Sequence, residues 1–131
     1  MICADSSSFI AFTQGEAERD VELVAHALAQ QLLVFSPVTV SELLSDPNLA
    51  PSIEASVLEV PTLEITPGYW ERAGKLRALL MARQLRPKIA DTLIAQSCLD
   101  HQVPLITRDR DFTGFQKHAG LSVLLAKTRL A

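Results

Sequence analysis

Residues 88–112 read KIADTLIAQSCLDHQVPLITRDRDF, and the fold turns on how this stretch is interpreted. Residues 88–102 are predicted to form a helix and 103–107 an apolar strand, with only a tight turn at Gln102 and Val103 between them. A helix joined to a strand by so short a turn must run antiparallel to it and pack on the same sheet. The N-terminus of that helix, with Asp91 in its first turn, therefore returns to the carboxyl end of the strand. Asp109 emerges at the same edge, two residues beyond Thr107.

The chain on either side repeats the alternation of strand and helix. Residues 2–4 are a short apolar run stopped by Asp5 and three serines, where a helix begins with Phe9, Ile10 and Phe12 as its expected buried residues. Residues 16–31 carry Val21, Val24, Ala25 and Leu28 at helical intervals, with acids enriched at the start as the helix dipole favours. Residues 32–35 form a second strand. Ser36 is the expected N-cap and Pro37 the first residue of a third helix running to residue 45. Residues 57–65 alternate well enough to predict a third strand, which Pro61 weakens or confines to an edge. A long helix is predicted over 68–84, with Trp70, Ala73, Leu76, Leu80 and Arg83 in register and a break at Pro87. A short helix over 111–118 and a fifth strand over 121–125 complete the chain. This order predicts an α/β fold, a three-layer sandwich around a central, mainly parallel five-stranded sheet with right-handed crossovers. Two helices lie between the third and fourth predicted strands. Residues 83–88 are therefore expected to recross the sheet, about 20 Å, nearly extended.

A length of 131 residues suits one domain over 1–131, and 48% hydrophobic with 21% charged residues is a globular composition. The start lacks the charged lead of a signal peptide, and no apolar run approaches the roughly 18 residues of a membrane span. A cytoplasmic location is expected. Cys3 and Cys98 match no CxxC pattern and His26, His101 and His118 are scattered, so free thiols and no zinc site are expected. The net charge of −3 hides an asymmetry. Residues 1–71 hold eleven acids and one base, Arg19, whereas residues 72–131 hold four acids and eleven bases, as a face for an anionic partner would require.

In an open parallel sheet, ligands bind at the carboxyl ends of the strands, where loops and helix N-termini converge. Asp5 closes the first strand there, Glu42 lies in the second turn of the helix after the second strand, and Asp91 and Asp109 return as described. Each alone has an ordinary explanation: a cap at Asp5, a solvated charge at Glu42, a dipole partner at Asp91, a turn residue at Asp109. Together they repel unless a cation offsets them. Hard oxygen donors without His or Cys point to Mg²⁺ or Mn²⁺, which activate water and steady a phosphoryl group in transfer. Asp111 stands immediately before a helical run and is expected to be its N-cap, leaving Asp109 as the ligand.

Over essentially its whole length the chain resembles the PIN-domain family, specifically VapC-type toxins. The resemblance rests on ICADSSSFIAF at the start, PVTVSELLS, the stretch quoted above and the closing hydrophobic strand. It implies a catalytic set of Asp5, Glu42, Asp91 and Asp109, with metal held by Asp5, Asp91 and Asp109, and with Asp111, Thr107 and Ser6 in support. It also implies metal-dependent endonucleolytic hydrolysis of RNA, a homodimer, and inhibition by a cognate antitoxin protein. Alternatives are a catalytically weak or inactive PIN-fold binding module, or a PIN nuclease outside toxin–antitoxin systems. A receiver domain lacks support, because Ile65 and Thr66 stand where its acceptor Asp would be. A haloacid-dehalogenase phosphatase would need an Asp at Ser7. For RNA, the expected phosphate contacts are Arg108 and Arg110 beside the acids, and Arg86 and Lys88 from the basic run that also holds Arg72, Lys75, Arg77 and Arg83. Tyr69 and Trp70 are assigned to packing in preference to base stacking.

Overall fold

The structure is a computed structural model and describes residues 1–126. Four short strands, β1 (Ile2–Ala4), β2 (Leu33–Val34), β3 (Leu105–Thr107) and β4 (Val123–Leu125), pair in the order β2-β1-β3-β4, every pair parallel. Successive residues of a strand point to opposite faces. Cys3, Val34, Leu105 and Val123 accordingly enter one core with Leu76, Leu80, Ile94, Phe112 and Phe115. Ala4, Leu33, Phe35 and Ile106 enter a second core with Phe9, Val24, Leu43 and Val57. Helices α1 (Ser6–Thr13), α2 (Arg19–Ala29), α3 (Pro37–Leu44) and α4 (Pro51–Glu59) supply the second core; α5 (Tyr69–Met81), α6 (Ile89–His101) and α7 (Thr113–Ala119) supply the first. The three-layer α/β arrangement is as expected from the sequence.

The sheet has four strands among the described residues, not five. Residues 57–59 end α4, and only Thr62 of the expected third strand pairs, through a single parallel bridge to Phe35. Pro51 starts that helix at its first position, and the residue before Pro61 is extended, at φ −76 and ψ 129, as a residue preceding proline must be. The alternation of residues 57–65 was therefore two different conformations read as one.

Because that strand is absent, residues 83–88 do not recross the sheet. Arg72 in the first turn of α5 meets Asp100 at the end of α6, and the Arg77 Nε donates to the Pro87 carbonyl at 3.0 Å, so α5 and α6 form an antiparallel hairpin that turns at the carboxyl edge. Gln84 takes a left-handed φ of 64 in that turn. Two side-chain directions also differ from expectation. In α1 the buried positions are Ser8, Phe9 and Ala11, with Ile10 exposed; in α5 Tyr69 is buried and Trp70 is 62% exposed.

Candidate metal centre and its supporting clamp

Asp5 stands at the junction of β1 and α1, its backbone N–H donating to the Ile106 carbonyl of the neighbouring strand at 2.9 Å. Its side chain makes no cap hydrogen bond to α1. Oδ2 instead accepts from the Ser7 hydroxyl at 2.8 Å and from the Thr107 hydroxyl at 2.9 Å. Thr107 Oγ1 also accepts from the Asp109 backbone N–H at 3.0 Å, so one buried threonine connects the ends of β1 and β3. Burial first, and the charge of Asp109 last, raise the Asp5 carboxyl above its ordinary value despite these hydrogen bonds.

Asp91, in the first turn of α6, is 9% exposed, and its Oδ2 has no hydrogen-bond partner among the described residues. Burial, then the charges of Asp109, Asp5 and Asp111 against the opposing charge of Lys88, push this carboxyl up to about 6. One oxygen each from Asp91, Asp109 and Asp111 lie within 4.8 Å of one another. Glu42 is exposed on α3, outside the group of Asp91, Asp109 and Asp111; burial and then the charge of Asp5 raise its carboxyl against a hydrogen bond from Ser6.

The expected division between Asp109 and Asp111 is reversed in part. Asp109, not Asp111, is the N-cap of the 3-10 turn Arg110–Phe112, accepting from the Asp111 backbone N–H at 2.9 Å. Asp111 is thereby freed to present its carboxylate to the trio, while Asp109 serves both as cap and as member of it. The expected metal set of Asp5, Asp91 and Asp109 thus has Asp111 in the tight group, with Asp5 beside it. Ser36 is the N-cap residue of α3, as expected, but its hydroxyl makes no cap hydrogen bond and is buried without a partner among the described residues, like that of Thr39.

Arg108 departs from the role expected of it. Its Nε and Nη2 donate to the two carboxylate oxygens of Asp20 at 2.8 and 2.9 Å, and Nη1 donates to Glu16 at 3.2 Å. Asp20 is fully buried and also accepts from the Ser8 hydroxyl at 2.8 Å. Burial pushes the Asp20 carboxyl up, but the Arg108 and Ser8 hydrogen bonds and the Arg108 charge outweigh it and hold it below the ordinary value. The arginine is a clamp that ties the acid-bearing loop to α2, its fork engaged by Asp20 and Glu16. The side chains of Arg110, Arg86 and Lys88 are exposed, and their charged groups make no hydrogen bond or ion pair among the described residues. Neither Ser7 nor Asp20 was singled out from the sequence. Asp20 had a usable signal, an acid at helical spacing with Val24 and Ala27 on the buried face of α2.

The residues present fit a divalent cation. A buried carboxylate oxygen without a partner is costly, three carboxylates share one small volume, and all donors are hard oxygens. These shifts fix a pH dependence for the metal-free protein. The raised Asp91 carboxyl binds its proton more tightly in the folded chain, so stability declines as pH rises from about 4 to about 6. The depressed Asp20 and Asp100 carboxyls contribute stability that is lost as pH falls below about 4. Melting temperature in chelator should therefore peak near pH 4 to 5, and saturating Mg²⁺ should remove the decline on the neutral side. A chelated protein most stable at pH 7 would contradict the arrangement.

A family model described as PIN domain matches residues 2–118. No curated relative matches the chain. Among solved structures, VapBC-1 from nontypeable Haemophilus influenzae superposes with a TM-score of 0.71 at 24% identity, over 98% of this chain and 100% of that one. FitAcB from Neisseria gonorrhoeae gives 0.70 at 18% identity, over 98% and 100%. VapBC-5 from Mycobacterium tuberculosis gives 0.68 at 23% identity, over 95% and 97%. At these identities the likeness is one of fold.

Proposed function

Since the chain belongs to the PIN-domain family, we propose that it is a Mg²⁺- or Mn²⁺-dependent endoribonuclease, the toxin of a type II toxin–antitoxin pair. The observation that carries the reading is the buried, unpartnered Asp91 oxygen in a carboxylate that shares one small volume with Asp109 and Asp111. Asp91, Asp109 and Asp111 would hold the metal, with Asp5 and Glu42 beside them. A bound divalent ion supplies an activated water and offsets negative charge on the phosphodiester. Thr107 and Ser7 orient Asp5 through hydrogen bonds to a single oxygen, which leaves the other oxygen of that carboxylate to the centre. Thr107 also sets the distance between Asp5 and Asp109. Lys88, near enough to oppose the rise of Asp91, brings positive charge to the rim where a phosphate would arrive.

The toxin assignment is supported by the assemblies that share the fold, among them a member of the VapBC family of toxin–antitoxin systems and a toxin–antitoxin complex from Klebsiella pneumoniae. The reading includes a cognate antitoxin as partner, a homodimer and a cytoplasmic location. No helix among the described residues is long and apolar enough to cross a membrane. Asp5, Glu42, Asp91, Asp109 and Asp111 are all present in this chain, which favours an active nuclease over an inactive binding module. Purified protein should cleave single-stranded and structured RNA with Mg²⁺ or Mn²⁺, lose the activity in excess chelator and regain it when either ion is restored. Cleavage that survives thorough chelation would overturn the metal mechanism.

A further inference from the structure

A cavity of about 300 Å³ adjoins the acid group and shares Asp111 with it as a wall. Its apolar floor is Leu80 and Leu85, with Pro87 at one side and the start of α7, Thr113 and Gly114, at the other. Arg86, Lys88 and Arg110 complete the lining. These three cations have no hydrogen bond or ion pair within the described residues, whereas Arg72, Arg77 and Arg108 are engaged by Asp100, the Pro87 carbonyl and Asp20. Gly114 keeps the cleft open. It sits inside a helix, where glycine is destabilising, and a Cβ there would lie 3.1 Å from Leu85 Cδ1 and 3.5 Å from Leu80 Cδ2. A side chain at this position would displace the leucines that form the floor.

An apolar floor ringed by unpaired cations is complementary to a ligand that is flat and apolar in one part and anionic in another. The volume is at the lower end of ordinary ligand pockets, room for one base and its sugar and too small for a duplex. Resting on the nuclease reading above, we propose that this cavity is the subsite for one nucleotide of a single-stranded substrate next to the bond that is cut. Its base lies against Leu80 and Leu85, and its phosphate lies between Lys88 and Arg110. The shared Asp111 wall then sets the neighbouring phosphodiester beside the acid group. The charge contributes affinity that weakens with salt, while the leucine floor contributes the preference for a base over a bare sugar phosphate.

The test is binding of adenosine 5′-monophosphate and of ribose 5-phosphate to the full chain with Mg²⁺ present, followed by amide chemical shifts. The nucleotide should shift Leu85, Thr113 and Gly114 and bind at least fivefold more tightly than ribose 5-phosphate. Leu85→Ala should abolish that preference, and Lys88→Gln should weaken both ligands at least threefold. On single-stranded RNA, Leu85→Ala should raise KM about tenfold. Equal binding of the two ligands, or shifts confined to other regions, overturns the subsite. Shifts at the same amides from penta-glutamate but not from the nucleotide would assign the cavity to an acidic protein segment instead and equally overturn it. A protein that cleaves RNA but fails these measurements keeps the nuclease reading and loses the subsite. One that binds the nucleotide here without cutting RNA loses the nuclease reading, and with it the placement beside a cleaved bond, and keeps only a nucleotide-binding cavity.

Discussion

Asp91→Asn is expected to lower RNA cleavage by at least about 100-fold, the equivalent of roughly 3 kcal/mol of lost transition-state stabilisation, while making the metal-free protein more stable. The two effects have one cause. The Asp91 carboxylate is buried, one of its oxygens has no partner among the described residues, and the charges of Asp109, Asp5 and Asp111 act on it together, so that its ionised form is unfavourable until a cation arrives. An amide removes the repulsion and removes the ligand. Melting in chelator should rise by a few degrees, on the order of 1 kcal/mol for a domain of this size, and the decline in stability between about pH 4 and 6 should flatten. Added Mg²⁺, which stabilises the wild-type chain by mass action, should leave the variant nearly unmoved. A variant that is inactive and also several degrees less stable in chelator would make Asp91 a structural residue of α6 and remove the central support of the metal reading.

Arg108→Ala is expected to destabilise the fold by about 3 kcal/mol, because it leaves Asp20 buried as a charge without its partner. For a chain of this length that corresponds to a fall in melting temperature of roughly 10 °C. Asp20 is fully buried and accepts both arms of the guanidinium fork. Arg108→Lys restores the charge without the fork and should recover less than half of the loss. The arginine also lies between Thr107 and Asp109, so loosening it should impair cleavage through misplacement of the acid-bearing loop. The discriminating measurement is the salt dependence of RNA binding by the inactive Asp91→Asn chain. Arg108→Gln should leave the slope unchanged, whereas Arg110→Gln, which removes a side chain whose guanidinium has no partner among the described residues, should reduce it by about 0.7. A small stability loss at Arg108 together with a reduced slope would return that residue to the phosphate contacts expected from its position in the sequence.

Much of the site was legible in the chain because topology follows from short-range patterns. The tight turn at Gln102 obliges α6 to return Asp91 to the end of β3, and the serine run after Asp5 obliges β1 to end there. The positions of Glu42 and Asp109 follow in the same way from Ser36-Pro37 and from the end of an apolar strand. The third strand was not legible. Val57, Leu63 and Ile65 are apolar in a stretch where both a helix end and an extended segment satisfy the same binary pattern. Pro61, which weakened the strand reading, is the residue that separates the two conformations.

The amino-acid sequence by itself determined the layer architecture, the parallel order of strand and helix, and the convergence of carboxylates at one sheet edge, since these depend on periodicity, turn length and chain direction. Only the tertiary structure decided which oxygen accepts which hydrogen. Asp109 became the cap and Asp111 the free carboxylate because the chain enters the 3-10 turn two residues earlier than spacing suggests. Arg108 became a clamp because α2 places a buried acid opposite it, from a segment 88 residues away in the chain. Tyr69 turned inward and Trp70 outward through the rotation of α5 about its own axis, which its packing on α6 fixes. Local pattern sets where a backbone goes, but the partner of a polar side chain depends on angstrom-scale contacts between segments remote in sequence, and those exist only once the layers have packed.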